Sequence, residues 1–301
     1  MNHSPELISV IIPFYKGNRY IGELLSNLEQ VDAALTPCNA RLEVIIVNDS
    51  PDIPVEYTAP ETLDVTLVEN PRNMGIHATR IHGISHAKGQ WIQMLDQDDL
   101  LIPENYPRQL AACRDADVAV GNCYYFHGQD KQLLYANGAV MEYLVTESRF
   151  LAIRNLIASP GHCLIRKEAL PAYWLENPMQ VNGSDDYFLW MLLFHDGARI
   201  VLNDKPVYVH RNSEEGNLSF NYEKMHRSNL EMCALLKSAP HYPAAKLKKV
   251  QRSIYFKFLY DTGKLKPVDW LRYADKVWVN GVYKITTGLK ARLHSFYGDN
   301  L

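Results

Sequence analysis

The first apolar run of the chain, LISVIIPF at residues 7–14, is continuous and rich in β-branched side chains, the pattern of a strand covered on both faces of a parallel sheet. Over residues 20–35 the apolar positions Ile21, Leu24, Leu25, Leu28 and Val31 return at helical spacing, and residues 42–47 repeat the buried-strand pattern. A third strand is predicted at 65–68, a helix at 76–87 and a fourth strand at 91–95. This alternation predicts an α/β fold with an open sheet and right-handed crossovers. Ligands in such sheets bind beyond the carboxyl ends of the strands. Those ends carry Pro13 to Tyr15, Asn48 to Asp52, the loop into the helix bearing Arg80, and Asp96 to Asp99.

From residue 121 to about 220 the pattern is less regular, apart from an apolar run at 187–194 that predicts a buried helix. That run falls well short of the roughly 20 residues that span a bilayer. After residue 220 the pattern is helical again and basic. The apolar stripe Leu247, Val250, Ile254 and Phe258 lies beside Lys246, Lys248, Lys249, Arg252 and Lys257. Two further stripes follow, Trp270, Ala274, Val277 and Trp278, then Val282, Ile285, Leu289 and Leu293.

At 47% hydrophobic and 22% charged over 301 residues, the composition is that of a globular chain and excludes wholesale disorder. Five scattered cysteines without a C-x-x-C pair argue against a disulfide framework or a zinc site and fit a reducing, cytoplasmic compartment. The opening MNHSPELISV has neither the basic start nor the apolar core of a signal peptide. The formal charge of −3 conceals an asymmetry: residues 240–301 hold 12 Lys and Arg against 4 Asp and Glu, whereas the remainder holds 19 against 30. The basic tail therefore has two readings. It lies on an anionic membrane surface at the inner face of the membrane, or its stripes pack on the main domain while the lysines face water.

The chemistry concentrates in MLDQDDL at residues 94–100, where three carboxylates follow an apolar strand. Acids so close raise one another's pKa unless a cation compensates. Asp-x-Asp suits a hard divalent ion, Mg²⁺ or Mn²⁺, which keeps positions for water and substrate phosphates. Read on residues alone, the alternative is an acidic loop in which one Asp caps the next helix.

Around this cluster the chain resembles the family 2 glycosyltransferases. The matching segments, in order, are VIIPFYK, VNDS, NMGIHATRIHGISHAKG, LDQDDLLIP, SDDYFLWMLL, YVHR and NLS, spread over residues 7–220. Each alone is a weak signal; their order makes the set specific. The resemblance implies a GT-A fold, a Rossmann-like mixed sheet flanked by helices. It also implies a nucleotide-sugar-binding half at 1–120, an acceptor-binding half at 121–220 and a helical C-terminal extension at 221–301. It places Pro13 and Tyr15 at the uracil pocket, Asp49 on the base, Arg80 near the nucleotide and its phosphates, and Asp96 on the ribose side. Asp98 and His210 become metal ligands, Asp99 an aid to orienting the sugar, Asp186 the general base, and Asp185 a positioning group for base or acceptor.

For each of these residues a plainer role stands beside the implied one: a strand-ending turn, an Asx turn at Asp49, a solvated helix face at Arg80, a structural histidine, or helix N-terminal electrostatics at Asp185 and Asp186. Lys16 stands where the family commonly has Asn, Ser50-Pro51 where it has Gly-Ser, and Ile81 where Asn is frequent. The implied activity is inverting, metal-dependent transfer of a sugar from a UDP-sugar to a hydroxyl of a saccharide or lipid-linked glycan, in surface-polysaccharide or lipopolysaccharide assembly. Nucleic acid is not an expected partner. The rival readings are a catalytically silent sugar-nucleotide sensor or scaffold, and a nucleotidyltransferase on a similar sheet. The latter usually has a Gly-rich basic loop after its first strand, and PFYKGNRY has one glycine.

Overall fold

The computed structural model describes residues 4–127, 130–211 and 221–297; the NLS segment at 217–219 and the side chains of Leu289 and Leu293 lie outside what is described. The elements in order are β1 (Glu6–Phe14), α1 (Asn18–Leu35), β2 (Ala40–Asn48), β3 (Asp64–Glu69), α2 (Ile76–His86), β4 (Trp91–Met94), β5 (Leu100–Leu101), α3 (Tyr106–Cys113), β6 (Val118–His127) and β7 (Asp130–Leu133). There follow α4 (Gly138–Leu144), α5 (Glu147–Ala152), β8 (Cys163–Arg166), α6 (Ala172–Glu176), α7 (Asp185–His195), β9 (Ile200–His210), α8 (Tyr222–Ser238), α9 (Ala244–Asp261), α10 (Pro267–Arg272) and α11 (Ala274–Tyr297). The early elements match those read from periodicity, with ends shifted by one or two residues.

Among the described residues the nine strands form one mixed sheet in the order β3-β2-β1-β4-β8-β6-β9-β5, with β7 on the outer part of β6. β1 runs parallel to both β2 and β4. The chain therefore moves outward to β3 and then crosses back to β4, and this reversal opens a crevice beyond the carboxyl ends of β1, β2 and β4. β8 is antiparallel to β4 and β6, whereas β9 is parallel to β6 and carries its far end to the same crevice.

The sheet is covered on both sides. Ile8, Val10, Ile12 and Phe14 of β1 pack with Ile21, Leu24, Leu28 and Val31 of α1, and Leu110 of α3 joins them. Ile11 faces the other core, with Ile84 of α2, Phe188 to Leu193 of α7, and Met232 and Leu236 of α8. Leu24 and Leu28 are wholly buried, which contributes about 1.5–3 kcal/mol each. α7 is apolar all round because it is enclosed all round: every residue from Tyr187 to Leu193 is buried.

The first basic stripe belongs to the second core, where Leu247, Val250 and Ile254 of α9 are buried beside the sheet. Lys248 and Lys249 lie exposed between them. The later stripes behave differently, for Trp270, Trp278 and Ile285 are exposed. Among the described residues no helix is long and apolar enough to cross a membrane.

Candidate active site

The crevice holds a cavity of about 810 Å³ whose walls include Pro13, Tyr15, Asp49, Arg80, Asp96, Asp98, Asp185, Asp186 and His210. Of the ten residues singled out in the sequence, nine meet here. The tenth, Asp99, is fully buried outside the lining: its carboxylate accepts from the Tyr208 hydroxyl, from Arg211 N at 2.6 Å, and pairs with His210 Nδ1 at 3.0 Å. In this structure Asp99 braces the end of β9, away from the place where it was expected to orient a sugar.

The end of β1 is tied to the Asp-x-Asp loop by a residue that reads in the sequence as a spacer. Gln97 Oε1 accepts from Tyr15 N at 2.8 Å and its Nε2 donates to Tyr15 O at 3.1 Å. This double clasp leaves the Tyr15 ring exposed at the pocket wall. Beside it Lys16 adopts φ 53°, the left-handed conformation that Asn tolerates better than other side chains, and Lys16 N donates to Ser50 Oγ at 3.2 Å. Two departures from the family pattern thus touch each other. Asp49 accepts from Asn70 Nδ2 at 2.8 Å, Met74 N at 2.6 Å and Gly75 N at 3.0 Å, and so fixes the loop that leads into α2.

α2 delivers Arg80 into the centre of the site. Gly83 permits this, since a Cβ there would stand 2.5 Å from Ile11 Cγ2 and 3.0 Å from Val47 Cγ2. Arg80 is only 3% exposed, with Nη1 on Asp185 Oδ2 at 2.6 Å and Nη2 on Asp96 Oδ1 at 2.7 Å. Burial works against its charge, but Asp185 and Asp96 outweigh it and raise the pKa of the guanidinium. Arg80 thereby joins the N-terminus of α7 to the end of β4. Ser159 Oγ donates to Asp96 Oδ2 at 3.3 Å and lies 3.0 Å from Tyr208 Oη, whose single proton goes to Asp99, so the chain of polar contacts continues to Asp99 and β9.

Asp186 lies at the start of α7, partly open to the cavity, with Asn155 Nδ2 on its Oδ2 at 2.8 Å and Tyr187 N on its Oδ1 at 2.6 Å. Burial and the adjacent charge of Asp185 push its carboxyl up to about 7, against the opposing pull of Arg80 and the two hydrogen bonds. Trp174 Nε1 donates to Asp185 O at 2.9 Å and anchors this helix end. Asn155, Ser159 and Gln97 were missed by sequence reasoning. Asn155 and Ser159 sit in the irregular middle of the chain, 31 and 63 positions from the carboxylates they hold, where no local pattern signals a partner.

Also lining the cavity, Asp98 is pushed up to about 6 by burial and then by Asp99 and Asp96. The pKa of His210 is raised to about 9: burial disfavours the charged ring, but the Asp99 hydrogen bond and the charges of Asp99, Asp96 and Asp98 prevail. Neighbouring carboxylates contribute to both shifts, second to burial for Asp98, and crowded carboxylates are the condition that attracts a divalent cation. Among the described residues no group of three or more His, Cys, Asp or Glu is placed to hold a metal ion. Mg²⁺-type sites take one or two protein groups and complete their shell with water and substrate phosphates. Asp98 fits such a role, and His210 does so on giving up the proton that its raised pKa retains; its Nδ1 has the carboxylate partner that orients a ligating imidazole.

With the geometry established, comparison with known proteins gives a consistent result. The chain is 26% identical over 230 residues to the glycosyltransferase GlyG of Streptococcus pneumoniae, covering 68% of this chain and 71% of that one. In three dimensions it resembles residues 1–349 of S. aureus TarS in complex with UDP-GlcNAc, with a TM-score of 0.57, 19% identity, and coverage of 87% of this chain and 74% of that one. It also resembles the mannosyltransferase PcManGT of Pyrobaculum calidifontis in complex with GDP-Man and Mn²⁺, with a TM-score of 0.53, 15% identity, and coverage of 99% and 89%. At those identities the structural likeness establishes the fold, which is GT-A. The pattern of Glycosyl transferase family 2 matches residues 9–174, more than half of the sequence, and the chain belongs to that family.

Proposed function

We infer that the chain is an inverting glycosyltransferase that moves a sugar from a nucleotide-diphosphate sugar, with uridine as the nucleotide, to a hydroxyl of a saccharide or glycolipid in surface-polysaccharide assembly. One observation carries this reading: one cavity is lined both by a carboxylate of raised pKa, Asp186, and by the acidic residues Asp96 and Asp98, a combination suited to a dication and a diphosphate. Pro13 and Tyr15 would border the base, and Asp49 holds the loop beside it.

In transfer, the bond between the anomeric carbon and the diphosphate oxygen breaks with its electron pair leaving on the diphosphate, while the acceptor oxygen bonds the same carbon. The acceptor proton passes to Asp186, whose carboxylate Asn155 and Tyr187 N hold in position. Asp185, fixed by Arg80, shapes the acceptor side, and Asp96 approaches the donor. Asp98 and His210 would hold the divalent ion. Such an ion, when bound, supplies stabilisation of the charge that develops on the departing diphosphate. One base facing one leaving group implies a single displacement and inversion, so that an α-linked donor gives a β-linked product. Uridine is favoured by the family resemblance and by a fold neighbour bound to UDP-GlcNAc, while a second neighbour holds GDP-Man.

The test begins with thermal shift of the chain against a panel of nucleotide sugars with and without Mn²⁺, followed by transfer with the stabilising donor and NMR of the product anomer. Asp186→Asn should lower transfer by about 10²–10⁴-fold while donor affinity stays within a few-fold. Equal loss of binding and turnover would make Asp186 structural, and a retained anomer would exclude the single displacement. A silent sensor would bind donor and neither hydrolyse nor transfer it.

A further inference from the structure

The basic tail does one thing that the catalytic reading does not use. α11 is held to the body by one face: Lys276 is buried with Nζ on Ser253 Oγ at 2.8 Å, and Val279 and Tyr283 pack against the core. The opposite face, Ala274, Trp278, Gly281, Ile285 and Gly288, is exposed at helical spacing. α10 extends this apolar surface, with Leu271 82% exposed and Val268 57%, next to Trp278 at 72% and Ile285 at 64%. Large apolar side chains this open, gathered on consecutive helices, mark a surface that meets a partner.

Charge decides which partner. Within the tail, Asp261, Asp269 and Asp275 are each in an ion pair with the tail's own Lys257, Arg272 and Arg252. Lys248, Lys249, Lys266 and Lys284 are exposed and in no ion pair among the described residues. Arg252 Nη2 donates to Arg272 O at 2.7 Å, which ties α9 to the α10–α11 junction, and Lys248 and Lys249 lie one helical turn earlier on α9. A second copy meeting this patch through a two-fold axis would set the same positive charge against itself. An anionic lipid surface accepts both components: tryptophan and leucine at the headgroup level, and lysine against phosphate.

We propose that the exposed face of α10 and α11, flanked by the unpaired lysines, docks the chain onto an anionic phospholipid bilayer surface without crossing it. This stands on the packing of α10 and α11 and is independent of the transferase reading.

The test uses the full chain, sedimented with vesicles of phosphatidylcholine alone or mixed with phosphatidylglycerol, while tryptophan emission is recorded. Binding to the anionic vesicles is expected, with a blue shift and at least about a tenfold loss between low and high salt. Leu271→Glu/Trp278→Glu and, separately, Lys248→Glu/Lys249→Glu/Lys284→Glu should each weaken binding about tenfold or more. All five side chains are exposed, so unchanged thermal unfolding serves as the control for folding. Equal binding to both vesicle types, undiminished binding by the Leu271→Glu/Trp278→Glu variant, or no binding overturns the proposal. Absence of binding together with a concentration-dependent dimer that this variant abolishes would assign the patch to a second copy instead.

Discussion

Arg80 shows how a residue legible in sequence acquires a different setting in space. It was expected beside the nucleotide phosphates, yet both of its terminal nitrogens are taken by Asp185 and Asp96, and it is almost wholly enclosed. Removing one partner of a buried ion pair strands the other, so Arg80→Gln should lower unfolding stability by about 3–5 kcal/mol in urea titration. The same change removes the cation that opposes the raised pKa of Asp186. The acidic limb of the pH–rate profile, expected near pH 7 in the native enzyme, should then move upward in whatever fraction remains folded. A purely structural Arg80 would lower the rate and leave the limb in place.

Asp186 also sets a pH dependence of stability. Its carboxyl titrates near 7 when folded, whereas a free carboxyl titrates near 4. Between those values the native state keeps a proton that the unfolded chain has shed, so this group's effect is to reduce stability as pH rises through that window. The stability advantage of Asp186→Asn over the native chain should therefore be larger at pH 8 than at pH 5, as read by thermal unfolding. A difference independent of pH would show that the residue does not titrate in that window.

At the scale of elements, α2 owes its position to one missing methyl group. Gly83→Ala gains about 1 kcal/mol of helix propensity, but the new Cβ would stand 2.5 Å from Ile11 Cγ2, and overpacking costs about 1–3 kcal/mol. A net loss of stability is expected in urea titration, together with weaker donor binding, because the displaced helix carries Arg80. Stabilisation would mean that the sheet yields at no cost.

What could be read in the sequence follows from this scale. β1, α1, β2, α2 and β4 declare themselves because a buried strand or an amphipathic helix leaves a local period in the chain. β5 has two residues, too short for any period, and β8, though as long as β4, lies in the irregular middle of the chain; they exist because β9, β4 and β6 pair with them. The acids at the strand ends were visible because they crowd together. Asn155, Ser159 and Tyr208 were not, since each becomes part of the site only through a partner far along the chain. The stripes of the tail looked alike in sequence. Tertiary packing separated them, drawing Leu247, Val250 and Ile254 inward and leaving Trp278 and Ile285 outside.

For the whole molecule, α9 is part of the scaffold rather than an attachment. Ser253 Oγ lies 2.9 Å from both Leu151 O and Ala152 O, with its single proton to donate between them, and Val250 is fully buried in the core shared with the sheet. The order of the strands has a consequence in time as well as in space. His210 comes from β9, which sits between β6 and β5, and it meets Asp99 across 111 positions of sequence. At ribosomal speeds of about 5–20 residues per second, the acidic loop emerges roughly ten seconds before the histidine it braces. A nascent chain halted short of β9 would thus carry three close carboxylates with no imidazole beside them, and it would be an inert intermediate until translation resumed.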